Sequence, residues 1–150
     1  MKKILLLLFG LFLLTGCSNY SNIETISYND LKEKIENKES FIVIFTNNEV
    51  STEDGNEYDY KSECKVLEST LNSVLVENNL NAYEVVYSKL TQDEKNELAP
   101  TIYIENYGIV FVKNGVDSSI LTHITDYQTT KYDIKSRLIN NAFITENTED

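Results

Sequence analysis

The sequence predicts one α/β domain, a three-layer sandwich built on a mixed β-sheet. Three observations carry this reading. Phe41-Ile-Val-Ile-Phe45 is an unbroken apolar run of strand length, rich in β-branched side chains, as a strand covered on both faces requires. Strand-like and helical stretches alternate on either side of it, which calls for crossover connections and parallel neighbours. The chain then closes with two short apolar runs and a helix, which adds an antiparallel edge.

The elements follow in order. Ser27 opens a helix with Asp30 placed to return a hydrogen bond to the cap, and Tyr28, Leu31 and Ile35 share one face. Residues 37–40 end it, and the 41–45 strand follows. Thr46 to about Tyr60 is polar and acidic, contains Gly55, and reads as a long loop carrying the aromatic pair Tyr58 and Tyr60. A second helix runs from about Lys61 to Asn79, with Leu67, Leu71, Val74 and Leu75 forming its apolar stripe.

Ala82 to Tyr87 reads as a strand. Thr91-Gln-Asp-Glu94 is a capping box that opens a short helix, expected to end before Pro100 because the residue preceding proline avoids helical geometry. Residues 101–104 and 109–112 read as strands, with turn signals at Asn106-Tyr-Gly108 and Asn114-Gly115 that leave open which turn closes the hairpin. A final helix spans about Thr129 to Asn141, with Tyr132, Ile134, Leu138 and Ile139 as its apolar contacts.

Two flanking segments stand outside the domain. At the start, Lys2 and Lys3 precede an apolar stretch from Ile4 to Leu14 and a small-residue exit, the layout of an export signal. The stretch is shorter than the roughly twenty residues that cross a hydrocarbon core. Leu14-Thr15-Gly16-Cys17 is similar to the bacterial lipobox, a resemblance that implies a lipid on the Cys17 thiol and cleavage before it. The expected organisation is a signal at 1–16, a lipidated tether at 17–22, the domain at 23–141 and an acidic tail at 142–150. The expected location is the outer face of the cell membrane, held by lipid.

Composition narrows the function. Removing Lys2 and Lys3 with the signal takes the net charge of −11 to near −13, a balance that repels phosphate backbones and argues against nucleic acid as a partner. There are two cysteines and one histidine, His123, so no Cys/His cluster with metal spacing exists and no cofactor is called for. With Cys17 lipidated, Cys64 is the domain's single free thiol and cannot pair within the chain.

The order β-α-β-α-β-β-α, with the chain's one proline between a helix and an apolar run, resembles the thioredoxin fold over about residues 23–141. Phe41–Phe45 is similar to the central strand before the active-site loop, Cys64-Lys65 to the start of the long helix, and Ala99-Pro100-Thr101 to the cis-proline substrate loop. The departure lies in the redox motif. Where the family carries C-x-x-C, this chain has Lys61-Ser62-Glu63-Cys64, so the attacking cysteine is replaced by Lys61 and only the resolving position keeps its thiol. The resemblance therefore implies a member without dithiol oxidoreductase activity. Cys64 is either a monothiol exchange group, favoured by a helix N-terminus and the nearby Lys61 and Lys65, or a buried packing residue. The alternative function is a non-catalytic module that holds an exported protein or peptide through the Pro100 loop and the 46–60 loop.

Overall fold

The computed structural model describes residues 21–53, 56–122 and 126–145. The elements are β1 (Ile23–Thr25), α1 (Tyr28–Glu36), β2 (Phe41–Thr46), β3 (Val50–Glu53), β4 (Asn56–Asp59), α2 (Tyr60–Glu77), β5 (Ala82–Val86), a 3₁₀ turn (Tyr87–Lys89), α3 (Gln92–Leu98), β6 (Gly108–Lys113), β7 (Val116–Leu121) and α4 (Tyr127–Asn140). The main sheet has the order β1-β5-β2-β6-β7. Strands β1 and β2 run parallel to β5, whereas β6 is antiparallel to both β2 and β7. The fold is thus an α/β sandwich with a five-stranded mixed sheet, an arrangement compatible with a thioredoxin-like topology.

Alternation along β2 divides the core between two faces. Ile42 and Ile44 join Ile109 and Phe111 under α2 and α4, which contribute Leu67, Leu71, Val74, Leu75, Ile134 and Leu138. Phe41, Val43 and Phe45 join Val110 and Val112 under α1 and α3, which contribute Leu31 and Leu98. All six residues of β2 are buried, as the unbroken apolar run requires. Both expected capping boxes form, Ser27 with Asp30 and Thr91 with Glu94, each satisfying amide groups that a helix start leaves without partners.

Four expectations are corrected. The 46–60 stretch is not simply a loop, because β3 and β4 pair as a separate antiparallel hairpin. Residues 101–104 form no strand. They alternate as a strand would, burying Ile102 and Ile104 against the α1/α3 face while Tyr103 stays exposed, but they cross that face outside the ladder. The hairpin partner of β6 is instead β7, joined through Asn114-Gly115. Phe143 and Ile144 pack against the α2/α4 core, so the domain extends past residue 141.

Short β1 was not legible as a strand, since three residues carry too little pattern. It is held by side-chain chemistry just before it. The Asn22 amide N–H donates to Asn72 Oδ1 at 2.8 Å, its Nδ2 donates to the Leu80 carbonyl at 2.7 Å, and its own carbonyl accepts from Ala82 N–H at 2.8 Å. The chain is therefore fixed to the sheet from Asn22 onward.

Candidate functional site

The C-terminal ends of β2 and β5 and the start of β6 lie together, because Phe45 pairs with both Val85 and Gly108. Helix α2 begins at this end, capped by Asp59, whose side chain accepts from Ser62 N–H. Cys64 stands one turn into the helix. Its side chain is buried, 4% exposed, and the sulfur accepts a hydrogen bond from Asn47 N–H at 3.2 Å. Asn47 follows β2 directly and is itself buried.

Burial pushes the Cys64 thiol above its ordinary pKa. The Asn47 amide works against that, while the carboxylates of Glu63, Glu68 and Glu84 reinforce it. The thiol is thus protonated at neutral pH and shielded from solvent. Thiolate, access and a positively charged setting are what an exchange cysteine needs, and none is met here. Lys61 and Ser62, in the first turn of α2, are exposed, and Glu63 is half-buried. No second thiol is found among the described residues.

Beside this closed thiol lies an open groove. It has a volume of about 540 Å³ and runs between Tyr60, the 103–107 segment and the end of β7 at Ile120 and Thr122. The Tyr60 and Tyr107 rings meet at 5.9 Å between centroids, and the Tyr107 hydroxyl donates to the Glu63 carboxylate. Tyr103 Oη donates to Glu105 Oε1 at 2.8 Å. The groove is therefore walled by tyrosines, with carboxylates holding two hydroxyls and no lysine or arginine along its lining. Its rim depends on Gly108. That residue has φ +153°, and a Cβ there would sit 2.8 Å from the Leu121 carbonyl oxygen, so a side chain would push β6 from β7 where the groove ends.

The expected substrate loop, Ala99-Pro100-Thr101, is elsewhere. Ala99 keeps helical geometry as the C-cap of α3, and no peptide bond among the described residues is cis. Thr101 O accepts from Asp117 N–H at 3.4 Å, and Asp117 pairs with Val112, itself opposite Phe41. These residues therefore lie at the N-terminal end of β2, while Cys64 lies at its C-terminal end. The physical reason is the missing strand: Pro100 ends a helix, and seven further residues run back across the sheet before β6 begins at Gly108. The segment beside Cys64 is Asn106-Tyr-Gly108, which the sequence marked only as a turn.

The structure thus brings together Cys64, Glu63 and Tyr60 from the expected set and adds Asn47 and Tyr107, which sequence reasoning missed. Gly108, directly before an apolar run, was the available signal for a close backbone approach. Tyr58 falls in β4, where only its backbone is described. Cys17 and His123 lie outside the described residues. Among the described residues no helix is long and apolar enough to cross a membrane, and no group of acidic, histidine or cysteine side chains is arranged to hold a metal ion. No protein-family model matches the chain, and no curated protein matches its sequence.

Proposed function

We propose that this is a thioredoxin-like lipoprotein domain, tethered through Cys17 to the outer face of the cell membrane, that binds an exported peptide or protein segment without dithiol chemistry. One observation carries the reading: the Cys64 thiol is closed off under Asn47, while the tyrosine-walled space next to it is open. A binding groove needs a largely apolar lining with a few placed polar groups, and Tyr60, Tyr103, Ile104 and Tyr107 with Glu105 supply that combination. Monothiol exchange through Cys64 is the weaker reading, since burial and three nearby carboxylates oppose thiolate formation.

The tether reading rests on the four residues Leu14-Thr15-Gly16-Cys17 after an apolar run. Strong net acidity fits a domain kept off anionic headgroups and away from nucleic acid.

The test has two arms. An alkylating thiol reagent should leave the native mature domain unmodified and label Cys64 only after denaturation. On an array of extended peptides, binding by the wild-type domain should be lost in Tyr107→Ala and kept in Cys64→Ser. Rapid native labelling, together with binding that needs Cys64 and not Tyr107, would overturn the proposal in favour of exchange chemistry.

A further inference from the structure

The two ends of the sheet differ in how far each can lie from a lipid on Cys17. Five chain steps separate Cys17 from Asn22, a reach of at most about 18 Å even when fully extended. From Asn22 the chain is fixed by its bonds to Asn72, Leu80 and Ala82. Since β1 starts there and runs parallel to β5 and, through it, alongside β2, the fixed point belongs to the N-terminal end of the parallel strands. The groove belongs to the opposite end, one strand length away, or about 20 Å for the six residues of β2.

Charge follows the same division. At the fixed end, exposed Lys38 and Lys113 stand among Glu36, Glu39, Asp117 and a Glu77 paired with Lys131 and Lys135, together with the uncharged Asn79, Asn81 and Asn114, a mixed surface. Around the groove end, Glu49, Asp59, Glu63 and Glu105 still outnumber Lys61, Lys65 and Lys89. An anionic membrane surface repels the second end more than the first, within about a Debye length of 8–10 Å.

Resting on the tether reading above, we infer that the anchored domain stands with the β6–β7 turn and the 38–40 turn toward the membrane and presents the tyrosine-walled groove away from it. The groove then meets segments arriving from the exterior and not those embedded in the anchoring membrane. The 99–101 turn, by the same geometry, faces the lipid side.

The chain contains no tryptophan, so a single introduced one reports its own surroundings. Val116, 55% exposed beside the β6–β7 turn, and Val50, 58% exposed at the groove end, make a matched pair. The lipidated full chain carrying Val116→Trp or Val50→Trp is placed in vesicles of mixed zwitterionic and anionic phospholipid bearing a headgroup nitroxide quencher. Val116→Trp should be quenched several-fold more than Val50→Trp, with the contrast growing as the anionic fraction rises. Lys113→Trp and Glu49→Trp repeat the comparison on exposed positions should either valine variant fold poorly. Equal or reversed quenching on chains that float with the vesicles overturns the orientation alone. Failure of the wild-type chain to float, or flotation that survives Cys17→Ser, overturns the tether and the orientation with it.

Discussion

The two ends of the sheet are built by different means. At the N-terminal end of β2 the connections are tight and conformationally committed: Lys38, Asn79 and Asn114 adopt left-handed backbone angles, and Gly115 has φ +78° with its N–H donating to the Glu39 carbonyl. At the C-terminal end the chain instead inserts a hairpin between β2 and α2, buries a thiol and an asparagine, and leaves a groove open. The contrast teaches where each cost is met. One end spends its residues on holding the sheet in register, which frees the other to keep polar groups and space that packing alone would not favour.

The largest expected effect breaks the first end. At Gly115 a Cβ would lie 2.4 Å from the Ile35 carbonyl oxygen, a backbone atom that cannot move without shifting the end of α1. Gly115→Ala combines that clash with a left-handed residue, and a loss of about 3 kcal/mol is expected in urea unfolding, from backbone strain and overpacking together. A loss below about 1 kcal/mol would mean the turn is softer than its geometry implies.

Cys64→Ala tests the second end. It removes a buried sulfur and the acceptor of the Asn47 N–H, which leaves that donor without its partner. A cost of about 1–2 kcal/mol is expected, smaller than the Gly115 effect. Peptide binding in the groove should be unchanged. If stability stays level while binding falls, the thiol belongs to the groove, and the separation drawn between them is wrong.

How much of this was written in the sequence depends on whether the signal was local. The β2 run, both capping boxes and the stripe of α2 are patterns within one element, and each was read correctly because burial and capping act over a few residues. The failures among the strands are all pairings. The alternation of Ile102 and Ile104 correctly indicated burial of every second residue, but burial on a face does not require a hydrogen-bonded neighbour. Val116–Leu121 carries no apolar strand signal, because an edge strand with residues such as Asp117 and Ser118 need not be apolar. Those two errors together displaced the site, putting Pro100 where Tyr107 stands.

A smaller effect concerns acid stability and the α2–α4 contact. Lys131 and Lys135 flank the Glu77 carboxylate and lower its pKa from 4.5 to about 2. Because the folded value is depressed, the stabilisation is fully present above pH 4.5 and is lost as pH falls from there through about 2. The carboxylate is 40% exposed, so solvent screening holds the contribution to about 0.5–1 kcal/mol. In Glu77→Gln the stability advantage of wild type should shrink across that window and with added salt. A constant difference from pH 7 to pH 2 would assign the effect to packing.

The smallest effect sharpens the comparison most, because it concerns the residue on which the sequence reading placed the substrate loop. Pro100 is exposed and trans, closes α3 and lies at the end of the sheet away from Cys64. Its ring makes no contribution to the groove, and its rigidity acts chiefly by limiting the unfolded chain. Pro100→Ala should therefore lower stability by only about 0.5 kcal/mol, an unfolded-state effect. Peptide affinity and native thiol protection should both match wild type, whereas Tyr107→Ala, at the position that takes its place, should abolish binding. If Pro100→Ala weakened binding as much as Tyr107→Ala, the groove would extend the full length of the sheet, and the division between a bracing end and a binding end would fail. The paired variants decide this with one titration each, and they do so without needing the identity of the natural partner.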